Sequence, residues 1–405
     1  MTDEVWLETP DGELEEKPQL SLVVPAMNEE VTIGEFIDWC NEGLARSGLK
    51  GEILIIDSST DRTPAIALAK GARVLHSPKR GLGRAYIDAI PFIRGDFIIM
   101  GDADCTYDFR ELAPFAAKFR EGFEFIMGSR MIGTIEPGAM PDLHRYFGNP
   151  LTTWILNFVY GTKFSDIHCG MRGITKSGLK QIGLTSQGWE YASEMIVKAS
   201  QFGLRISEVP INFYKDRAGR ISHVKRSGWL TPWRAGWHTV KIILVYGFQH
   251  VAQPLSVAFM LFGLPILLCL SLGPVKILGL TFTLHTEIFA STLLLLGLVL
   301  YGISVLSACI NDRKGSQLRQ LSRRFHFTRA MAISAALFGV GFLVCASFLL
   351  QYISRGFTLA DTPAWIGHLS VAGLTAMVVA ALLASFAILL HALADRILGG
   401  GDRAE

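Results

Sequence analysis

Four long apolar stretches in the C-terminal part of the chain constrain its fold more than any other feature. They cover residues 252–272, 288–310, 330–352 and 369–392, and each approaches the ~20 residues that a helix needs to cross a bilayer. None of the four has a polar face, so helices buried in a soluble core are the less favoured interpretation. We therefore expect four transmembrane helices over residues 252–395 and a short tail over residues 396–405.

The basic residues between the second and third stretches predict an orientation. This segment contains Arg313, Lys314, Arg319, Arg323, Arg324 and Arg329, whereas the other two loops contain only Lys276 and Arg355. The positive-inside rule then assigns residues 311–329 to the cytoplasm. Because the number of spans is even, we expect an integral membrane protein with its N-terminal domain and both termini in the cytoplasm.

The composition of the chain sets three further limits. The formal net charge of +2 over 405 residues gives no electrostatic reason to expect a nucleic-acid partner. The six cysteines form no Cys-x-x-Cys pair, which favours a reducing compartment without disulfides or structural zinc. Residues 1–18 are polar and acidic and contain no signal peptide, so a disordered tail is expected there.

The region before the apolar stretches has the pattern of an α/β domain. Strands are predicted over residues 20–24, 52–56, 73–76, 96–100 and 123–127, with helices over residues 31–46, 64–70, 83–93 and 110–120. This alternation predicts a mainly parallel sheet with helices on both faces. We assign residues 19–235 to this domain and residues 236–251 to an interfacial helix that precedes the first span.

Two aspartates one residue apart follow the apolar run Phe97–Met100. If the strand continues, Asp102 and Asp104 project to the same side. Like charges this close favour a cation between them, and Mg²⁺ prefers one or two carboxylates together with phosphate oxygens. Two solvated loop acids are the alternative. Asp57 and Arg130 also follow predicted strand ends, where ligands bind in such sheets.

The segment Gly81-Leu82-Gly83-Arg84 resembles half of a dinucleotide-binding fingerprint. The third glycine is absent and the segment follows the third strand, so a Rossmann cofactor site is excluded. A glycine turn that lies close to a ligand is the favoured interpretation, and a helix cap is the alternative.

A series of motifs in a fixed order now points to a known family. The series is Pro25-Ala26-Met27-Asn28-Glu29-Glu30, Asp57-Ser58-Ser59-Thr60-Asp61, Asp102-Ala103-Asp104, Gly128-Ser129-Arg130, Asp166-Ile167-His168-Cys169-Gly170-Met171-Arg172 and Glu208-Val209-Pro210-Ile211. It resembles the family 2 glycosyltransferases with a GT-A fold. Within that family it is similar to the polyprenyl-phosphate branch, which contains dolichol-phosphate mannose synthases and bacterial undecaprenyl-phosphate glucosyltransferases.

The resemblance implies a set of site residues. The nucleotide sugar would be bound by Pro25, Met27, Glu29, Asp57, Lys79, Gly81, Asp102, Ala103 and Asp104, with Asp57 reading the base. Mg²⁺ or Mn²⁺ would be held by Asp102 and Asp104, with either water or Thr106, which stands where the family often has glutamine, as a third ligand. The acceptor phosphate would be bound by Arg130, Arg145, Asn149, Arg172 and Arg217, the last at the start of a shifted match to Arg-x-x-Gly-x-Ser-Lys. Catalytic roles would belong to Asp104, Asp102 and Arg130, with Glu194 as a further candidate unless it is only a helix-surface acid.

The reaction implied by the resemblance is an inverting transfer of a hexose from a nucleotide sugar to a polyprenyl phosphate. UDP-glucose is the favoured donor and GDP-mannose remains open. The product would supply cell-envelope glycan synthesis or protein glycosylation. Aromatic residues over 144–160, and basic residues with Trp229, Trp233 and Trp237 before the first span, are typical of segments at a membrane surface.

Two other functions stay open at this point. A processive polysaccharide synthase is suggested by Gln320-Leu321-Ser322-Arg323-Arg324, although Arg324 stands where the Gln-x-x-Arg-Trp signature has tryptophan. A non-catalytic glycosyltransferase-like scaffold is the second alternative. Small residues in the third apolar stretch could mediate helix contacts, and a homo-oligomer is left open.

Overall fold

The computed structural model describes residues 4–12, 15–217, 231–312, 315–358 and 363–398. The chain forms two compact units, Met1–Gly247 and Phe248–Glu405. The first unit contains the sheet, and the second contains most of the apolar helices.

The first unit is built on one eight-stranded sheet. Its strands are β1 (Trp6–Glu8), β2 (Leu20–Ala26), β3 (Gly51–Asp57), β4 (Arg73–His76), β5 (Phe97–Met100), β6 (Phe125–Ile135), β7 (Arg172–Thr175) and β8 (Ile206–Phe213). The strand order is β1-β4-β3-β2-β5-β7-β6-β8. Strands β4, β3, β2 and β5 run parallel, whereas β1 and β7 are antiparallel to their neighbours.

Helices connect most of these strands. They are α1 (Ile33–Ser47), α2 (Thr63–Ala69), α3 (Leu82–Ala89), α4 (Ala113–Arg120), α5 (Asn149–Tyr160), α6 (Lys176–Ile182) and α7 (Tyr191–Gln201). The central strand β2 is buried on both faces, which accounts for its continuous apolar sequence. The predicted α/β architecture is confirmed: all five predicted strands are present, four of them within two residues of their expected bounds.

Strand β6 is longer than predicted. It continues past residue 127 to Ile135, and its pairing with β8 is irregular between Ser129 and Thr134. Arg130 therefore lies within an irregular part of a strand, and the expectation that it follows a strand end is wrong. The sequence did not predict this extension because Gly128 and Gly133 resemble strand breakers. In the structure both glycines are tightly packed, against Met171 and Ile211 respectively.

The N-terminal segment also differs from its prediction. Residues 1–18 were expected to be disordered, yet Trp6–Glu8 forms β1, which pairs with β4 at the edge of the sheet. The Trp6 indole stacks on the His76 ring with centroids 3.9 Å apart. This contact with a residue 70 positions away could not be inferred from the acidic composition of the segment.

The second unit contains the apolar helices. Helix α8 (Thr231–Leu270) begins in the first unit, and a small hairpin of β9 (Val275–Ile277) and β10 (Leu280–Phe282) follows it. The remaining helices are α9 (Leu284–Asn311), α10 (Ser316–Arg324), α11 (Phe327–Ser354) and α12 (Ala364–Leu398). Within the described residues, four helical segments are long and apolar enough to span a membrane: Leu244–Leu270, Leu284–Asn311, Phe327–Ser354 and Ala364–Leu398. The interfacial helix expected over residues 236–251 is not a separate element, because α8 runs through it.

Candidate active site

The loop after β2 is locked to the loop after β3. Asn28 adopts a left-handed conformation with φ of 53°, and its Oδ1 accepts a 2.8 Å hydrogen bond from the backbone N–H of Thr60. Its own N–H donates to Ser59 Oγ at 2.8 Å. The next N–H, that of Glu29, donates to Thr63 Oγ1 at 2.9 Å. Pro25, Met27 and Glu29 are thus held beside the carboxyl ends of two parallel strands.

Asp57 is the last residue of β3 and pairs with Ala26 on one side and His76 on the other. Its carboxyl group is almost fully buried, its Oδ2 lies 3.6 Å from His76 Nδ1, and its Oδ1 has no hydrogen-bond partner. Burial raises the pKa of Asp57, while Ser59 and His76 oppose that rise. His76 Nε2 lies 3.0 Å from Glu8 Oε2, so this imidazole stands between two carboxyl groups.

The segment with Asp102 and Asp104 is a turn that follows β5. The strand ends at Met100, and Cys105 has a positive φ of 57°. The strand alternation assumed for the two carboxylates is therefore wrong, although both still follow a central strand. Thr32 Oγ1 donates to Ala103 O at 3.2 Å, which ties the turn to the start of α1.

Thr106 holds the Asp104 carboxylate. Its backbone N–H and its hydroxyl donate to Asp104 Oδ1 at 3.0 and 2.6 Å. The hydroxyl proton is thus directed at Asp104. Within the described part of the chain, no group of three or more His, Cys, Asp or Glu side chains is arranged to hold a metal ion. A cation at this turn would rest on two carboxylates and on ligand oxygens.

Asp102 lies among three buried tyrosines. Burial raises the pKa of Tyr86, Tyr107 and Tyr191, and the negative charge of Asp102 adds to the rise in each case. A Cβ at Gly170 would lie 2.8 Å from Asp102 Oδ2. The glycine of the Asp166–Arg172 motif therefore keeps the space beside this carboxylate clear of side-chain atoms.

The glycine segment at the start of α3 packs against a distant loop. Gly81 has φ of 119°, and a Cβ there would lie 2.4 Å from Gln187 O. The N–H groups of Gly83 and Arg84 donate to Gly188 O and Gln187 O at 3.2 and 2.9 Å. Gly81 is thus required for chain packing as well as for a turn. Lys79, two residues earlier, is exposed.

Arg130 and Asp166 form a buried ion pair. Nε and Nη2 of Arg130 donate to the two carboxylate oxygens at 2.6 and 2.9 Å. Hydrogen bonds and charge from Arg130 hold the pKa of Asp166 below its usual value despite burial. The direct phosphate contact expected of Arg130 stays a prediction, and it would have to use the N–H groups that Asp166 does not engage.

Arg172 is even less accessible. Its side chain is only 1% exposed, and its Nη1 and Nη2 donate to Ala192 O and Cys169 O at 2.8 and 2.5 Å. The expected contact with an acceptor phosphate is not supported for this residue. The guanidinium instead joins the Asp166–Arg172 motif to the start of α7.

Two other expected phosphate ligands lie on the surface around α5. Arg145 belongs to a π-helical turn, His144–Gly148, and is half-buried with its guanidinium 5.3 Å from the Tyr146 ring centre. Asn149 is the first residue of α5 and is also half-buried. His168 anchors this helix through a 2.7 Å contact of Nε2 with Thr152 Oγ1. Burial lowers the pKa of His168 to about 4.

Arg217 contacts helix α1. Its Nη2 donates to Glu35 Oε1 of α1 at 2.6 Å. Burial raises the pKa of the Cys105 thiol to about 12; the charges of Glu35 and Asp104 add to that rise, and the charge of Arg217 opposes it. Arg217 is therefore near the aspartate turn. The remainder of the segment with Gly219, Ser222 and His223 lies outside the described residues.

Glu194 is buried and is bound by neighbouring groups of the protein. Its carboxylate is fully buried, ion-paired with Lys198, and accepts hydrogen bonds from Thr185 N and Oγ1 and from Ser186 N at 3.0, 2.7 and 2.8 Å. These contacts lower its pKa. The alternative of a helix-surface acid is wrong, because the carboxylate is buried and joins α7 to the loop that supports Gly83. The catalytic role of Glu194 stays a prediction.

Sequence reasoning missed three residues of this site: His76, Tyr107 and Asp166. Asp166 and Gly170 belong to a motif that was noticed, but their contacts join segments far apart in sequence. The hydroxyl oxygen of Tyr107 accepts a 2.8 Å hydrogen bond from the Gly170 N–H. An aromatic residue three positions after an aspartate gives no signal of such a contact.

Comparison with known proteins gives the family. The description Glycosyl transferase family 2 matches residues 21–183, and Glycosyltransferase family 2 C-terminal transmembrane region matches residues 307–394. The low-salt glycan biosynthesis hexosyltransferase Agl6 of Haloferax volcanii is 36% identical over 346 residues, which cover 84% of this chain and 82% of that protein. A dolichyl-phosphate hexose transferase of the same organism is 32% identical over 203 residues, covering 49% and 84%.

Solved structures give a weaker likeness. Mannosyl-3-phosphoglycerate synthase from Rubrobacter xylanophilus has a TM-score of 0.44 and 21% identity, and the match covers 56% of this chain and 73% of that one. The extent of the Agl6 match, together with both family descriptions, is sufficient without it. The chain belongs to the family 2 glycosyltransferases, with a GT-A domain followed by a transmembrane region.

Proposed function

We propose that this glycosyltransferase transfers a hexose from a nucleotide sugar to a polyprenyl phosphate. The observation that carries the proposal is that the Asp102–Asp104 turn follows β5 at the same carboxyl edge of the parallel sheet as Asp57, with the end of β2 between them. A protein that binds a nucleoside diphosphate needs a hydrogen-bond acceptor for the base. It also needs positive charge, here from a cation, beside the two phosphates. The relative named as a dolichyl-phosphate hexose transferase supports a lipid phosphate as acceptor.

Asp57 is suited to read the base. Its Oδ1 is buried and lacks a hydrogen-bond partner in the protein, and a buried acceptor of this kind is costly unless something donates to it. Uracil offers one ring N–H, whereas guanine offers two adjacent donors. Because Oδ2 faces His76, a single available oxygen favours a UDP-sugar over a GDP-sugar.

The turn with Asp102 and Asp104 fits a divalent cation. The donor set consists of two carboxylates, which is what Mg²⁺ or Mn²⁺ accepts when phosphate oxygens complete its coordination. Gly170 leaves room beside Asp102 Oδ2, and Thr106 orients Asp104. A bound cation would stabilise the negative charge of the diphosphate leaving group.

The acceptor phosphate needs little activation. The second pKa of a phosphate monoester is about 6, so at neutral pH the nucleophile is already mostly dianionic. Arg145, Asn149 and Arg217 are the proposed ligands, because they are partly exposed near the turn or at the start of α5. Arg130 and Arg172 act as positioning residues in this proposal. Direct displacement would invert the anomeric carbon.

Helix α5 offers a surface for the membrane that contains the acceptor. Trp154 and Phe158 are 62% and 73% exposed, and Phe147 and Leu151 extend the same helical face. The opposite face buries Leu156 and Val159 in the domain. An exposed aromatic stripe of this kind is typical of helices that lie in the headgroup region. The distribution of arginine and lysine in the loops supports a cytoplasmic catalytic domain.

The test is transfer by the purified full-length protein in detergent. The assay would contain Mg²⁺ or Mn²⁺, a polyprenyl phosphate and a panel of labelled UDP- and GDP-hexoses. Asp104→Ala would be compared with Asp142→Ala, which removes an exposed acid away from the turn. A single labelled lipid, lost only with Asp104→Ala, is the expected result.

Two outcomes would contradict the proposal. Label in long polymer would favour the processive synthase. Absence of transfer from every donor, together with intact nucleotide binding, would favour the scaffold.

A further inference from the structure

Helix α10 packs against α9 and α12 in the second unit. Leu318 is fully buried, and Leu321 and Phe325 pack beside it against α9 and α12. His391 of α12 lies 2.8 Å from Phe325 O through its Nε2. These contacts hold the apolar face of a basic helix against its neighbours. The polar residues of α10 therefore lie on the faces that point away from this packing.

The polar residues of α10 line two adjoining cavities. Gln317, Gln320 and Arg324 follow the i, i+3, i+7 spacing of one helical face. With Gln253 of α8 and with Val305 and Ala308 of α9, they line a cavity of about 210 Å³. A second cavity of about 470 Å³ is lined by Ser316, Arg319, Gln320, Arg323 and Arg324. Gln320 and Arg324 therefore contribute to both.

The two linings are positively charged. Together they contain three arginines, and neither includes a carboxylate from the residues that the structure describes. The acid at the start of this segment, Asp312, accepts hydrogen bonds from Ser316 Oγ and Gln317 N at 3.0 and 2.7 Å. Those contacts engage the Asp312 carboxylate at the start of α10.

One wall of the smaller cavity lies inside a membrane-spanning segment. Gln253 belongs to the span Leu244–Leu270, and a polar side chain at such a position is generally retained for a function. Val305 and Ala308 supply an apolar surface on the same wall. The cavities thus combine amide and guanidinium donors with an apolar side, at the end of a transmembrane helix.

We propose that these cavities bind the phosphate head group of a membrane lipid. Arginine pairs with phosphate oxygens through two parallel N–H groups, and basic pockets between transmembrane helices bind anionic head groups. The apolar wall would contact the first part of the lipid chain. Two sources share this chemistry: an anionic phospholipid of the bilayer and a prenyl phosphate. The inference does not depend on the proposed transfer reaction.

The experiment is equilibrium binding to the full-length protein in an uncharged detergent. The probes are phosphatidylglycerol, farnesyl phosphate, farnesol as the uncharged match, and inorganic phosphate. The variants are Arg324→Gln and, as a matched control, Arg329→Gln, an exposed arginine of α11 that lines neither cavity. Gln320→Leu gives a second test of the cavity, and thermal unfolding shows whether each variant is folded.

We expect Arg324→Gln to weaken binding of a phosphate-bearing lipid by about tenfold or more, since hydrogen bonds to charged groups are among the stronger ones. Arg329→Gln should bind like the unmodified chain, and farnesol and inorganic phosphate should bind more weakly than the phosphate lipids. The tighter of the two phosphate lipids identifies the source. Equal affinity of Arg324→Gln and the unmodified chain, equal loss in Arg329→Gln, or equal binding of farnesol or inorganic phosphate would each overturn the proposal.

Discussion

Arg130 and Asp166 are joined by two side-chain hydrogen bonds of 2.6 and 2.9 Å, and the backbone N–H of Arg130 adds a third contact to the same carboxylate at 3.2 Å. One buried acid thus fixes both the backbone and the side chain of an arginine in the irregular part of β6. Asp166 also accepts the His168 N–H at 3.1 Å. The pair joins the strand to the loop that contains Gly170, and so to the space beside Asp102.

Replacement of Asp166 by asparagine should destabilise the first unit by about 3 kcal/mol, because it leaves the buried charge of Arg130 without its counter-ion. Tryptophan fluorescence during urea unfolding of the full-length protein in detergent would measure this loss. Asp142→Asn is the matched control and should be neutral. A loss below about 0.5 kcal/mol, the usual range for surface substitutions, would contradict a tight buried pair.

The same pair predicts a dependence of stability on pH. The folded-state pKa of Asp166 is lowered, so its contribution is present above the unfolded value of about 3.9 and is lost as pH falls through the folded pKa. The unmodified chain should lose stability faster than Asp166→Asn as the pH falls below about 4. Parallel pH profiles of the two proteins, measured by unfolding midpoint, would show that Asp166 does not contribute in this way.

Glu194→Gln should reduce stability by about 2 kcal/mol without removing the capacity for sugar transfer. The reason is that Glu194 holds Thr185 and Ser186 and pairs with Lys198. Transfer would be assayed at low temperature, where the variant is folded, and Glu121→Gln would serve as an exposed control. A loss of kcat in a fully folded Glu194→Gln would restore the catalytic role that the contacts argue against.

Metal-dependent nucleotide binding should separate the roles of Asp104 and Thr106. Asp104→Asn should abolish the Mn²⁺-dependent part of UDP binding in calorimetry. Thr106→Val should weaken it by about tenfold at most, since a hydrogen bond to a charged group is lost while the backbone N–H remains. Thr106→Ser should restore it. A Thr106→Val variant as defective as Asp104→Asn would instead support the direct metal ligation suggested by the family resemblance.

Gly83→Ala should destabilise the protein although alanine normally favours a helix. A Cβ at residue 83 would lie 2.2 Å from Ser186 O, so α3 or the loop before α7 must shift. Gly34→Ala in α1 is the matched control, because its Cβ would come no closer than 3.4 Å to the flexible Lys70 side chain. Thermal unfolding of both variants would measure the difference. Equal midpoints would show that the loop adapts at little cost.

The sequence predicted those parts of the fold and site that depend on local pattern. Strands β2, β3 and β5 have mainly apolar sequences because parallel strands are buried on both faces, and the apolar helices are long enough to cross a bilayer. Asp57, Asp102 and Asp104 follow such strands, so their common edge was predictable. Their conformation was not, because β5 ends at Met100 and the chain turns through both aspartates to a positive φ at Cys105.

Burial of charged residues was the least predictable feature. Arg130, Arg172 and Glu194 are residue types common in ligand-binding sites or on surfaces, yet each is buried and bound to other groups of the protein. Arg172 depends on the carbonyl of Ala192, 20 residues later. A sequence pattern gives the residue type that could bind phosphate, but only tertiary contacts decide whether its donors are still available.

Strand β1 has a consequence for how the protein can be handled. Its three residues cover the outer edge of β4, and an uncovered edge of a parallel sheet is a template for association with a second chain. Trimming the acidic N-terminal segment to improve behaviour in solution would therefore remove the strand that closes the sheet. A shortened chain that begins at Gln19 should aggregate more readily than the full-length protein, even though it lacks only residues that look dispensable.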